Sequence, residues 1–233
     1  MSAAAFQLTD GQPRVVGSIG STLELNTLRA STGLDACDIV EIRLDLLSPA
    51  PSSWKPWCDL PLLLTARRVE EGGGRCLSAA ERIGLLQPML AHAACVDIEV
   101  ASIGEMDSLI EELAAREIPW IASFHDFGQL PATAVLAAAA RRALDAGAAA
   151  FKTAARLHQV ADLTRLAEFQ LADHGLPVAT MGMGPLAAVS RLLCAQCGSV
   201  LNYGYLGTTP TAPGQWDAAL LKQAIARLEP LRG

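Results

Sequence analysis

The chain has 233 residues, 51% hydrophobic and 18% charged, with 18 basic against 24 acidic side chains and a formal net charge of −6. This composition can bury one large apolar core or two small ones, and it excludes a nucleic-acid partner, because no Lys/Arg cluster of the required size is present. The longest stretch without a charge, 192–216, holds Gln196, Asn202, Gln215 and several glycines and prolines, so no membrane span is expected.

In chain order, short apolar runs rich in Val, Ile and Leu alternate with longer segments of helical period. Strands are predicted at 15–19, 38–45, 60–67, 95–100, 120–125, 148–154, 177–183 and 199–206. Helices are predicted at 78–93, 103–116, 131–146, 158–173, 185–197 and 213–231, with weaker ones at 23–30 and 48–57. Ser78 followed by Glu81 has capping-box spacing, and Pro213 suits the first turn of the last helix. Eight strands and eight crossovers predict an α/β chain, a compact (β/α)8 TIM barrel formed by residues 1–233 as a single domain. An open doubly wound sheet is the alternative that the pattern leaves.

No basic stretch precedes an apolar one at the N-terminus, so no secretory signal is read and a cytoplasmic location is expected. Six cysteines are too few for a disulfide framework in a chain of this length. Cys194 and Cys197 lack a second ligand pair for zinc and are read as two packed thiols. Gly182, Gly184 and Ala187 match a dinucleotide fingerprint, but no acid follows between Ala188 and Trp216 to hold a ribose. No cofactor and no metal are expected, since the chain has neither a His-x-His nor an HExxH pattern.

The polar residues inside the strands are more informative. Glu41, Arg43 and Asp45 share one strand face, as do Thr65 and Arg67, and Asp97 and Glu99. Charges on the inner face of an apolar sheet form an ion network or line a site. Only three lysines occur, and Lys152 lies in a small-residue strand with no acid near it in sequence. Burial and nearby arginines both lower the pKa of such an amine and make it a nucleophile toward carbonyl carbon; a lysine snorkelling to the barrel rim is the plainer alternative. His125 ends the preceding strand, where an imidazole can move protons or merely bond its neighbours.

Taken in order, Ser18, Glu41-Ile-Arg43-Leu-Asp45, Thr65-Ala-Arg67, Glu70-Glu71-Gly72-Gly73, Asp97-Ile-Glu99, Ser123-Phe-His125-Asp126-Phe127, Phe151-Lys152-Thr153-Ala154, Met181-Gly-Met183-Gly, Ser190-Arg191 and Ala212-Pro213-Gly214-Gln215 resemble the type I 3-dehydroquinate dehydratases. The resemblance implies a (β/α)8 Schiff-base lyase of the shikimate pathway that converts 3-dehydroquinate to 3-dehydroshikimate without a cofactor. It implies that Lys152 forms the imine and that His125 is the general base and acid. A carboxylate of the Glu70-Glu71 pair orients that histidine, with Glu71 favoured by its place before the glycines. Glu41, Arg43 and Arg67 resemble the residues that hold the ring hydroxyls, and Arg191 and Gln215 those at the carboxylate and leaving hydroxyl. Ser18, Met181, Met183 and Thr211 complete the implied substrate-binding set. Thr211 stands where the family usually has serine, and segments 72–74 and 207–215 are read as lids. The resemblance also implies a homodimer. A class I aldolase on the same barrel, a metal-dependent barrel hydrolase and a catalytically silent binding barrel are the competing readings.

Overall fold

The computed structural model describes residues 8, 12–29, 34–48 and 59–229. Eight strands, β1 (Arg14–Ile19), β2 (Ile39–Arg43), β3 (Leu62–Thr65), β4 (Cys95–Glu99), β5 (Trp120–Asp126), β6 (Ala150–Arg156), β7 (Val178–Met183) and β8 (Leu201–Tyr205), alternate with helices. The helices are α1 (Thr22–Arg29), α2 (Ala79–Leu86), α3 (Asp107–Ala115), α4 (Thr133–Asp145), α5 (Val160–Leu171), α6 (Ala187–Gln196) and α7 (Ala218–Ile225). The strands run parallel in the order β7-β6-β5-β4-β3-β2-β1-β8. At the seam Val200 N donates to the Val178 carbonyl at 3.2 Å, which leaves a nearly closed barrel. A doubly wound sheet would reverse its strand order in the middle; this order is sequential throughout.

Alternation along the strands divides two apolar regions. Outward residues such as Ile42, Leu64, Ile98, Ala122 and Phe151 pack under helix residues Leu86, Leu109, Leu136, Leu166 and Leu221. Inward residues Val16, Ile39, Leu63, Cys95, Ile121, Ala150, Ala179 and Leu201 form an apolar plug. Two positions further along the strands the interior turns polar with Ser18, Glu41, Thr65, Asp97, Ser123 and Lys152, all buried. Two further again stand Arg43, Arg67, Glu99 and His125, so the polar layers open toward the strand C-termini.

The Ser78 capping box forms: Ser78 Oγ accepts from Glu81 N at 3.3 Å, and Glu81 Oε2 from Ser78 N at 2.8 Å. Several predicted bounds change for local reasons. Segment 78–93 divides at Pro88 into α2 and a 3-10 helix, Gln87–His92. The final helix does not begin at Pro213. It starts at Ala218, where Asp217 Oδ1 accepts from Leu220 N at 3.1 Å, because Gly214 is left-handed (φ +75°) and Tyr205 N is bonded to Trp216 O at 2.9 Å. Of the weak helix predicted at 48–57, all but Ser48 falls outside the described residues. Among the described residues no helix is long and apolar enough to cross a membrane.

Candidate active site

All twelve residues singled out as catalytic or substrate-binding line one cavity at the C-terminal mouth of the barrel. They are Lys152, His125, Glu71, Ser18, Glu41, Arg43, Arg67, Met181, Met183, Arg191, Thr211 and Gln215, and Phe127 and Tyr203 join them there.

Lys152 is 4% exposed, and the acid that its sequence neighbourhood lacks is supplied by β4: Nζ donates to Asp97 Oδ2 at 2.9 Å. Burial by itself would push Asp97 up, but Arg67, at 2.9 Å, and Lys152 outweigh it and hold the carboxyl below its usual range. The network continues outward. Arg67 Nη1 also meets Glu99 Oε1 at 2.9 Å, and Arg82 of α2 meets Glu99 Oε2 at 2.6 Å. Arg43 grips Asp45 through Nε and Nη2 at 2.9 and 2.8 Å. Ser18 Oγ and Thr65 Oγ1 donate to Glu41, the latter at 2.8 Å. Four buried carboxylates (Glu41, Asp45, Asp97, Glu99) thus face four buried cations (Arg43, Arg67, Arg82, Lys152), which satisfies the demand that interior charges be compensated.

His125 is held by Glu71. Glu71 Oε2 accepts from the backbone N of His125 at 2.9 Å and lies 3.0 Å from Nδ1. When Glu71 is ionised it can only accept, so Nδ1 then carries the proton and Nε2 the lone pair. Burial and the cations Arg67 and Lys152 hold the imidazole well below its ordinary pKa, and thus neutral. Burial pushes Glu71 up to about 7, against the pull of Arg67. The choice between the two glutamates is made by geometry: Glu70 turns outward and pairs with Arg68 at 3.0 Å. A 3-10 turn, Val69–Glu71, swings the carboxylate over β5 and ends at Gly72 (φ +86°). A Cβ on Gly73 would lie 2.3 Å from the Arg67 carbonyl oxygen, so only glycine fits there.

Arg191 is 1% exposed on α6, and among the described residues no carboxylate pairs with it. Nε donates to Tyr203 O at 3.1 Å and Nη1 to Gly182 O and Ala187 O at 3.0 and 3.1 Å. Burial lowers its pKa to about 10, which leaves it charged at neutral pH. The Gly182/Gly184 motif serves this packing: a Cβ on Gly182 would lie 2.4 Å from Leu157 Cδ1 and 2.7 Å from Ser190 Oγ. Cys194 and Cys197 are both free thiols.

The loop that follows β8 covers the mouth. Gln215 Oε1 accepts from Thr211 N and Oγ1 at 2.9 and 2.8 Å, and Gly184 N donates to Pro213 O at 3.4 Å. Its other end is fixed by Glu24 of α1, whose Oε1 accepts from Thr208 N and Thr209 N, each at 3.0 Å. Glu24 was not legible as a partner because it sits 184 residues from Thr208 on an ordinary helical face. Asp45 has a similar role at the loop of residues 72–74, accepting from Gly74 N at 3.0 Å and from Arg67 N at 3.1 Å. Its strand-face charge was visible in sequence; its loop partners were not.

A family model described as Type I 3-dehydroquinase matches residues 19–231. The 3-dehydroquinate dehydratase of Methanothrix thermoacetophila is 32% identical over 215 residues, covering 91% of each chain. That of Latilactobacillus sakei is 35% identical over 206 residues, covering 81% of this chain and 82% of the relative. The solved 3-dehydroquinate dehydratase of Enterococcus faecalis superposes with a TM-score of 0.75 at 26% identity, covering 94% of this chain and 95% of that one. A barrel whose mouth gathers an ion-paired lysine, a carboxylate-held histidine and a buried arginine without a counter-ion, matched over nearly its whole length by these relatives, belongs to the type I 3-dehydroquinase family.

Proposed function

We propose that this chain is a 3-dehydroquinate dehydratase that works through an imine on Lys152, with His125 as general base and acid. Lys152 Nζ attacks the ring ketone, the carbonyl oxygen leaves as water, and a protonated imine remains. A ketone's α-proton is too weakly acidic for a histidine at neutral pH. The protonated imine accepts the electron pair and forms an enamine as His125 Nε2 takes that proton. The enamine pair then expels the β-hydroxyl, to which His125 returns the proton, so a second water leaves. Hydrolysis of the conjugated imine consumes one water and frees 3-dehydroshikimate and the lysine.

The observation that carries the substrate class is Arg191, a buried cation bonded only to backbone carbonyls beside a charge-balanced network. Such a group is costly until an anion arrives, and a planar guanidinium fits a carboxylate. Glu41, Arg43 and Arg67 suit the hydroxyls of a polyhydroxylated ring, and Met181 and Met183 its apolar face. Ser18 and Gln215 add polar contacts, while Thr211 holds the Gln215 amide oxygen. Glu71 accepts from Nδ1–H of His125 and so leaves the Nε2 lone pair free to take a proton.

We read residues 1–233 as a single catalytic domain and propose that it acts as a cytoplasmic homodimer in the shikimate pathway; a particle of one chain's mass at micromolar concentration would contradict the dimer. Ultraviolet detection of the conjugated enone from 3-dehydroquinate tests the reaction. Turnover is expected for the wild type, with losses of at least 10³-fold in Lys152→Ala and about 10²–10⁴-fold in His125→Ala. Absence of enone with 3-dehydroquinate, alongside cleavage of an aldol substrate, would favour the aldolase instead.

A further inference from the structure

Lys152 is enclosed from two sides. Asp97 Oδ2 lies 2.9 Å from Nζ, and the Tyr203 ring presents its face with the centroid 4.0 Å from the same atom. The strand register makes this possible. Lys152 pairs with Ala179 of β7, and Tyr203 comes from β8, one strand further round. A methyl at 179 leaves the gap through which a β8 ring reaches an amine on β6. Tyr203 is 4% exposed, and its carbonyl is fixed by Arg191 Nε at 3.1 Å. Its hydroxyl is buried and bonds no described residue, so no hydrogen bond from the phenol accounts for where the ring stands.

An aromatic face carries the negative lobe of the ring quadrupole and attracts a cation within about 6 Å, most strongly where water is excluded. Two charged states of the nitrogen occupy this position during turnover, the ammonium and the protonated imine. Resting on the Lys152 imine read above, we propose that Tyr203 is a positioning residue for Lys152: its ring face holds the cationic nitrogen opposite Asp97 and keeps the protonated imine populated until His125 takes the neighbouring proton. The ring exchanges no atom or electron. It acts on the charge left on nitrogen when the carbonyl oxygen departs as water.

The test keeps the shape of the ring and removes its charge distribution. The reference is the full chain with Tyr203→Phe; 4-fluoro-, 3,5-difluoro- and 3,4,5-trifluorophenylalanine are then incorporated at the same position. Each protein is mixed with 3-dehydroquinate and borohydride, and the initial rate of adduct formation on Lys152 is read by mass spectrometry beside kcat and KM. The trapping rate is expected to fall stepwise with fluorination, by about tenfold across the series, with the loss in kcat rather than KM. A flat series overturns the proposal, since a residue that only fills space is the same in all four proteins. A wild-type enzyme that makes enone with no adduct on Lys152 overturns the imine reading as well, so the two failures are distinguishable.

Discussion

The pH response of this site is expected to follow Glu71 rather than the histidine it holds. His125 is kept neutral by burial and by Arg67 and Lys152, whereas burial raises Glu71 to about 7. The acid limb of kcat/KM is therefore expected near pH 7, as a property of the coupled pair, because protonating Glu71 removes the acceptor that fixes Nδ1–H. Glu71→Gln should lower kcat by about 10–100-fold and abolish that limb; an unchanged limb would assign it elsewhere. At the rim, a Cβ on Gly20 would lie 2.8 Å from Thr211 Cγ2, so the threonine methyl is accommodated by a glycine. Gly20→Ala should raise KM several-fold, and adding Thr211→Ser should restore it; steady-state kinetics of the single and double variants checks this. Lys152 and His125 stood out in the sequence because each residue type is unusual in its strand, whereas Arg191 was named only through the family resemblance. Asp97's hold on Lys152 was not legible, since the two are 55 residues apart in sequence and meet only when β4 and β6 flank β5 in the sheet.

The two mouth segments differ in how they are tied to the elements beneath them. Residues 72–74 are pinned from inside the barrel by Arg43 Nη2, which donates to Gly72 O at 3.1 Å, and by Asp45. Residues 207–215 hang from α1 through Glu24 and from their own Thr211–Gln215 bonds. Glu24→Ala removes the acceptor for two backbone N–H groups without touching the cavity, and charge-assisted bonds of that kind are each worth about 1.5–3 kcal/mol. A 5–10-fold rise in KM with kcat nearly kept is expected, together with faster cleavage at 207–215 by a nonspecific protease. Unchanged cleavage would show that the loop is held by other contacts. The strands were legible from their Val, Ile and Leu runs, and most helices from their period. The last helix was misjudged because Pro213 resembles a first-turn proline, although Gly214 beside it takes a left-handed turn and Asp217 supplies the cap.

Across the whole molecule, the charged inner face of the strands was readable from alternation within them, whereas the pattern left a doubly wound sheet open and the sequential strand order and the apolar plug appear only in the fold. What alternation cannot give is which charges meet, and the balance of four carboxylates against four cations depends on Arg82, which enters from α2. That balance is linked to pH. Asp97 is held low, so its contribution is present above its unfolded pKa and lost as pH falls through the folded one. Glu71 has the opposite sign: raised from 4.5 to about 7, it destabilises the fold progressively across that window, by on the order of 3 kcal/mol above it. The Tm advantage of Glu71→Gln over the wild type should grow from near zero at pH 4 to several degrees at pH 8, and a constant difference would contradict the raised carboxyl. The measurement that bears most directly on the central claim is a mass spectrum of the intact protein after 3-dehydroquinate and borohydride, with the modified residue mapped by digestion. A reduced adduct on Lys152, absent in Lys152→Ala, is the expected result. Enone formation with no adduct on Lys152, or near-normal turnover by Lys152→Ala, would contradict it.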